Sequence, residues 1–335
     1  MTLTTTPATR TRAALAGRAA KAAAVTAVAA AALVALSGAA FAAPAAHHAA
    51  GAAQQNCVAY PHTCGYPDAT NTGVPAATVL RTVPGQVSSG PGWAYEKAGY
   101  VEVFGNGATL SDLYIPFNVD VSASNVTIDD VKVATSGTGS FGISLRHTSD
   151  VTIENSDIYS PAGDDRLQYG IDDVYADSAH TVIKANQIYD TADGIQINEG
   201  DVTGNYIYNM KADAGDHVDG LLSTSGSTPA NPLTISRNTI LNSIDQTSDI
   251  ALYQDFGPQG NATISGNLLA GGGYSIYAGD SGPATPTNIV ITGNRFSPRY
   301  YPTGGAYGPV AYAATGTGDV WSGNIWDNTL QTVTP

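Results

Sequence analysis

Hydrophobic and polar positions alternate along most of this chain in short bursts, and the bursts repeat. An apolar residue, two variable positions, often an Asn, one more residue and a second apolar residue recur as "VTIENSDI" at 151, "TVIKANQI" at 181, "DVTGNYI" at 201 and "LTISRNTI" at 233. The series continues with "ATISGNLL" at 262, "IVITGNRF" at 289 and "DVWSGNIW" at 319, and weaker copies stand at 108 ("ATLSDLYI") and 126 ("VTIDDVKV"). The first apolar anchors are Leu110, Ile128, Ile153, Ile183, Val202, Ile235, Ile264, Ile291 and Trp321, spaced 18 to 33 residues apart. Such uneven spacing excludes a strict short-period solenoid and fits coils of about 20 residues with loops inserted in some of them.

Between the anchors runs a second strand signal: "FGISLR" at 141, "YGIDDV" at 169, "DGIQIN" at 193, "DGLLST" at 219, "DIALYQ" at 249, "YSIYAG" at 274 and "PVAYAA" at 309. Period-2 alternation turns Ile143, Ile171, Ile195, Leu221, Ile250 and Ile276 inward. Short strands, Gly and Asn turns and no helical period predict an all-β, single-stranded parallel β-helix of about nine coils over residues 108–335. Asn186, Asn205, Asn238, Asn267, Asn294 and Asn324 each fall three residues after an anchor. Asn tolerates the left-handed backbone of a sharp turn, so these positions are expected at coil corners, with stacked amides forming a ladder.

The first 42 residues break the pattern. Arg10, Arg12, Arg18 and Lys21 precede an apolar run from Ala22 to about Leu36, and Ala40-Phe41-Ala42 closes it with a small-x-small step. This is the layout of a secretory signal peptide, which predicts a secreted, extracellular chain with no membrane association after cleavage. An Ala-rich linker (43–56) and an N-terminal entrance or cap segment (57–107) would precede the helix. Cys57 and Cys64 are expected to close a small disulfide loop in an oxidising compartment.

Removing residues 1–42 leaves ten Lys and Arg against 28 Asp and Glu, a net charge of −18. That balance argues against nucleic acid and anionic membranes as partners. It also makes a polyanionic substrate awkward unless a cation bridges the two. A polysaccharide partner and a monomeric state are the expectations.

In a solenoid, outward side chains of equivalent strands form columns. Asp193 and Asp219 both stand two residues before an inward apolar residue, so adjacent coils should stack them. His217 lies two residues before Asp219, with Asp216 beside it. Asp193, Asp219 and His217 are therefore the candidate catalytic residues. Two carboxylates in proximity can act as acid and base, or acid and nucleophile, in glycoside cleavage, and their mutual repulsion lifts one pKa. Asp172, Gln196, Asn198, Arg146, Lys211 and Tyr253 are candidate substrate contacts, with Tyr277 outward further along. The remaining histidines are weaker candidates: His47 and His48 fall in the linker, His62 in the cysteine loop, and His147 and His180 beside repeat strands. No His/Cys spacing suited to zinc occurs.

The "I-x-x-N-x-I" copies at 183–188, 235–240 and 291–296 resemble the pectin-lyase-like right-handed parallel β-helix superfamily over roughly residues 100–330. "TGVPAATVL" at 72 looks like the entrance segment of secreted actinobacterial members. The right hand is implied by this resemblance. "TADG" at 191–194 is similar to the Asn-Thr-Asp-Gly motif of polygalacturonase-type hydrolases, which implies a catalytic Asp193. It departs from that motif at Thr191 and Ala192, and the Gly-His-Gly and Arg-x-Lys motifs are missing. The pectate-lyase branch implies acidic Ca²⁺ ligands, for which Asp172, Asp193 and Asp219 are the candidates. It also implies a basic proton acceptor, for which Arg146, Arg166 or Lys211 would have to serve. A secreted polysaccharide hydrolase or lyase and a non-catalytic glycan-binding β-helix both fit the sequence.

Overall fold

The computed structural model describes residues 56–335. The expected signal peptide and nearly all of the linker, with His47 and His48, lie outside the described residues. Almost every regular element is a short strand, and the strands wind into a parallel β-helix with three faces. Nine parallel strands, from Thr109–Ile115 to Val320–Ser322, make the first face. Their registers stack the predicted anchors one on another in unbroken order, from Leu110 on Ile128 through to Ile291 on Trp321. The second face stacks Ile158, Ile188, Ile207, Ile240, Leu269, Phe296 and Trp326. On the third face the six predicted inward residues align from Ile143 to Ile276 and continue to Val310. These three apolar stacks form one continuous core. Each coil buries only a few side chains, so stability is cumulative along the axis.

A column of Asn holds the corner between the first and second faces. Nδ2 of Asn186, Asn205, Asn238, Asn267 and Asn294 donates to Oδ1 of the next Asn, at 2.9 to 3.0 Å, ending on Asn324. Each of those acceptors also takes the backbone N–H of the preceding Asn. All six are fully buried. The ladder is as expected, but the left-handed residue is different. The positive φ belongs to the position just before each Asn: Ala185 (55°), Gly204 (67°), Arg237 (51°), Gly266 (62°), Gly293 (66°) and Gly323 (63°). The Asn is selected for its amide and not for its backbone. Ser156 occupies the same column one coil upstream; its N–H donates to Asn186 Oδ1 at 3.0 Å.

The N-terminal entrance or cap segment, expected over 57–107, has two parts. Cys57 and Cys64 form the expected disulfide, with Cα atoms 5.6 Å apart. From there, residues 57–82 run along the side of the helix against the order of the coils. The Cys57 and Val58 amides donate to the Asp327 carboxylate in the last coil. Gly73 N–H donates to Ala185 O at 2.8 Å. Val74 N–H donates to Asp157 Oδ1 at 3.2 Å, and Arg81–Thr82 pairs with the first coil at Leu113 and Tyr114. This strap therefore ties the last coil to the first. The following stretch adds antiparallel strands Ser89–Gly90, Trp93–Glu96 and Tyr100–Val103, the last of which pairs in parallel with Asn118–Val121, and Val83, Trp93, Val101 and Val103 join the core.

Candidate functional site

The third face carries the candidate acids, and its glycines explain how they come to face outward. Strict alternation would put Asp193 on the same side as Ile195. Gly194 interrupts the alternation. A Cβ on it would lie 2.9 Å from the Ile207 methyl and 2.3 Å from the Gly220 carbonyl oxygen, so Gly194 and Ile195 both face the core. Gly142, Gly170 and Gly220 are equally confined against Ile158, Ile188 and Ile240. The residue before each glycine is released to the outside. The resulting column reads Phe141, Tyr169, Asp193, Asp219, Ser248, Tyr274, with Phe141 stacked on Tyr169 at 5.7 Å.

Asp193 and Asp219 sit next to each other at the floor of a cleft of about 490 Å³, whose walls include Tyr169, Tyr253, Tyr277 and Tyr312. Both side chains are buried. Asp193 Oδ1 accepts the Asp219 backbone N–H at 2.9 Å, and its Oδ2 accepts from Gln168 Nε2 at 3.4 Å. Asp219 Oδ1 accepts the Ser248 hydroxyl at 2.5 Å, and both its oxygens lie 3.4 Å from the Tyr253 hydroxyl. Burial pushes the Asp219 carboxyl up to about 7, against the pull of the Ser248 and Tyr253 donors. Asp193 is raised well above the usual carboxylate range, first by burial and then by the charge of Asp219. Both carboxyls are therefore raised, and the Ser248 and Tyr253 hydroxyls favour the ionised form of Asp219. Burial and the Asp193 charge also lift the Tyr169 phenol to about 12.

His217 stands exposed on the rim, its Nδ1 3.3 Å from the Thr247 hydroxyl. Its loop is pinned from below: buried Arg166 reaches Asp216 Oδ2 with Nε at 2.6 Å and Nη2 at 2.5 Å. Arg166 is thus a loop anchor and is paired with an acid, unlike the free base an elimination would need. Tyr253 lines the cleft. The other candidate contacts do not line it. Arg146 Nε is held by Asp120 at 2.5 Å, and Lys211 Nζ by Asp190 at 2.9 Å. Asn198 is buried, and its Oδ1 accepts from Ser223, Thr224 and Ser225 at the end of strand Asp219–Ser223.

The Ca²⁺ set is not assembled. Asp172 belongs to a different outward column, in register with Ser144 and Gln196, while Asp193 and Asp219 stand on the far side of the inward residue. Among the described residues no group of three or more His, Cys, Asp or Glu is placed to hold a metal ion. Asp172 is buried with Oδ1 unpartnered, and burial followed by the Asp173 charge lifts it to about 7.

Several residues escaped sequence reasoning. Tyr169 was within reach, because "YGI" at 169 aligns with "DGI" at 193. Thr247, Asp255 and Ser281 come from connections outside the repeat, where periodicity is silent, whereas Tyr312 lies within the "PVAYAA" copy at 309. Asp249 is the other surprise. It occupies the column that holds glycine in four earlier coils, fully buried, with no side-chain donor to its carboxyl and only the Asn242 and Ala270 backbone amides opposing the burial. Burial raises its pKa well above the usual range.

These raised carboxyls have a consequence for stability. A carboxyl whose folded pKa exceeds its unfolded value of about 4 favours the fold fully below that value, and the contribution is lost as pH rises through the folded pKa. For Asp172 and Asp219 the window is about pH 4 to 7. Asp193 and Asp249 extend it upward. Calorimetric melting is expected to show a Tm lower at pH 8 than at pH 5 by roughly 5 °C or more. Asp249→Ser, which copies Ser275 one coil on, is expected to raise Tm at pH 8 and flatten the profile.

Residues 106–227 match the family model of the right handed beta helix region, which assigns the hand of the helix. Comparison with curated proteins gives no match. The match ends just beyond Asp219, so it spans Asp193 and Asp219 without extending to Asp255 or the tyrosines downstream.

Proposed function

We propose that this chain, a right-handed parallel β-helix protein, is a secreted glycoside hydrolase that cleaves an uncharged polysaccharide. The observation that carries the reading is the pair Asp193 and Asp219, two buried carboxyls on adjacent coils at the floor of a tyrosine-walled cleft, with Asp193 Oδ1 accepting the Asp219 backbone N–H. Such a pair divides into a protonated acid and an ionised partner, the division that glycoside cleavage requires. Asp193 gives its proton to the glycosidic oxygen as the bond from that oxygen to the anomeric carbon breaks. Asp219, held as the anion by Ser248 and Tyr253, attacks the anomeric carbon or takes a proton from the attacking water. In either case water supplies the new hydroxyl at the anomeric carbon. Tyrosine rings suit the apolar faces of sugar rings and carry a polar tip for their hydroxyls.

Substrate charge follows from the lining. Asp193, Asp219 and Asp255 face the cleft and no Lys or Arg lines it. A uronate would meet three carboxyls and no cation. The net charge of −18 after residue 42 works in the same direction. Secretion is supported by the N-terminal pattern and fits the Cys57–Cys64 disulfide.

Product analysis on dextran, xylan, galactomannan and mixed-linkage β-glucan, with polygalacturonate and alginate alongside, tests the proposal. New reducing ends from a neutral polymer, without an ultraviolet-absorbing unsaturated product, are expected. Cleavage of the polyuronates alone, an unsaturated product, or binding without cleavage would each overturn it.

A further inference from the structure

Beside the acid cleft, on the same face, lies a second cleft of about 400 Å³ with a floor of Gln196, Thr224 and Ser225. Two aromatic side chains flank it, and both are open to solvent: Tyr175 is 52% exposed and Phe256 81%. Neither is loosely placed. The Tyr175 ring is stacked on His147 at 4.1 Å with 2° between planes, and His147 Nδ1 lies 2.6 Å from Asp177 Oδ2. Phe256 is pinned at its backbone, where its N–H donates to Thr224 O at 3.1 Å. The floor is preset as well. Asn198 accepts the Thr224 N–H at 2.8 Å and donates to the Ser225 hydroxyl at 3.0 Å. In register with Gln196 on the preceding coil is Asp172, whose buried Oδ1 has no donor.

We propose that this cleft binds a sugar unit of the same uncharged chain, next to the segment held in the acid cleft. The inference rests on the function proposed above. Two exposed rings with a neutral, hydroxyl- and amide-bearing floor between them match a sugar ring, which has apolar faces and a hydroxylated edge. Continuity with the acid cleft identifies the occupant. Leu222 lines the acid cleft and is in register with Gln196 in the second, and consecutive residues Asp255 and Phe256 line one each. A glycan crossing Leu222 would occupy both clefts. Binding outside the acid cleft is then available to orient the chain over the acids.

The test separates the second cleft from the catalytic one. Asp219→Asn is run through native gels containing each neutral polymer, and so is the same variant carrying Phe256→Ala or Tyr175→Ala. Asp219→Asn should be retarded by at least one polymer, and either added substitution should weaken retardation at least fivefold. On the active background, Phe256→Ala should raise KM for that polymer about tenfold or more. It should leave kcat/KM on a short aryl glycoside, which fills only the acid cleft, within twofold. Unchanged retardation in both aromatic variants would overturn the proposal, as would an equal loss on the short and long substrates. Retardation that depends on Phe256 in a protein without any hydrolytic activity would support the second cleft while refuting the proposed hydrolysis, so the two failures remain distinguishable.

Discussion

Asp219→Asn should fold normally and lose at least about 100-fold in kcat on the cleaved polymer, within the range expected when an acid–base carboxyl is neutralised. The substitution keeps the shape of the side chain and an oxygen for the Ser248 hydroxyl, which now donates to Asp219 Oδ1 at 2.5 Å. The backbone N–H that Asp193 accepts is also untouched. What disappears is the negative charge beside Asp193. Two further changes should accompany the loss. Asp193 no longer faces a neighbouring charge, so its pKa should fall and any residual activity should shift to lower pH. Thermal stability above pH 7 should rise, because a buried carboxylate has been replaced by a neutral amide. Rates from reducing-end assays and melting curves from circular dichroism measure both. Full activity in the variant would remove Asp219 from the chemistry, and an unfolded variant would make it a structural residue.

The second large effect lies in the corner ladder. Asn267→Ala should destabilise the chain by about 3–6 kcal/mol, because several buried groups lose their partner at once. The Asn238 backbone N–H and Nδ2 both donate to Asn267 Oδ1, at 2.9 and 3.0 Å. The Asn267 Nδ2 donates to Ile235 O at 3.0 Å and to Asn294 Oδ1 at 2.9 Å. All of these groups are fully buried at the corner. Asn267→Ser should recover part of the loss, since Ser156 holds the same column and its hydroxyl accepts the Val131 N–H at 3.1 Å. Urea unfolding of the three proteins measures the effect. A loss below about 1 kcal/mol for the alanine variant would mean that the ladder is incidental to stability.

The repeat was legible because it is written in side chains. A buried anchor and a ladder amide each require one residue type per coil, so Ile235, Ile264 and Ile291 reveal the stacking directly, as do Asn238, Asn267 and Asn294. The site was legible only where it falls inside the repeat. Asp193 and Asp219 share an offset from the inward residue and are neighbours in space. Their outward orientation depends on crowding at Gly194 and Gly220, which comes from the second face and cannot be read from alternation. Arg146 and Lys211 show the opposite limit. Their positions were readable, but Asp120 and Asp190, which engage them, lie 26 and 21 residues away in sequence. The strap of residues 57–82 has no period at all, and its contact with Asp327 spans 270 residues. Only the folded chain brings those groups together.

The most direct measurement is the crystal structure of Asp219→Asn with a neutral oligosaccharide cut from the polymer that the wild-type protein hydrolyses. The account predicts a sugar chain across the tyrosine-walled cleft, with one glycosidic oxygen within about 2.6–3.2 Å of the Asp193 carboxyl, the reach of a proton donor. An oligosaccharide bound on another face, or lying in the cleft with no glycosidic oxygen near Asp193, would contradict it.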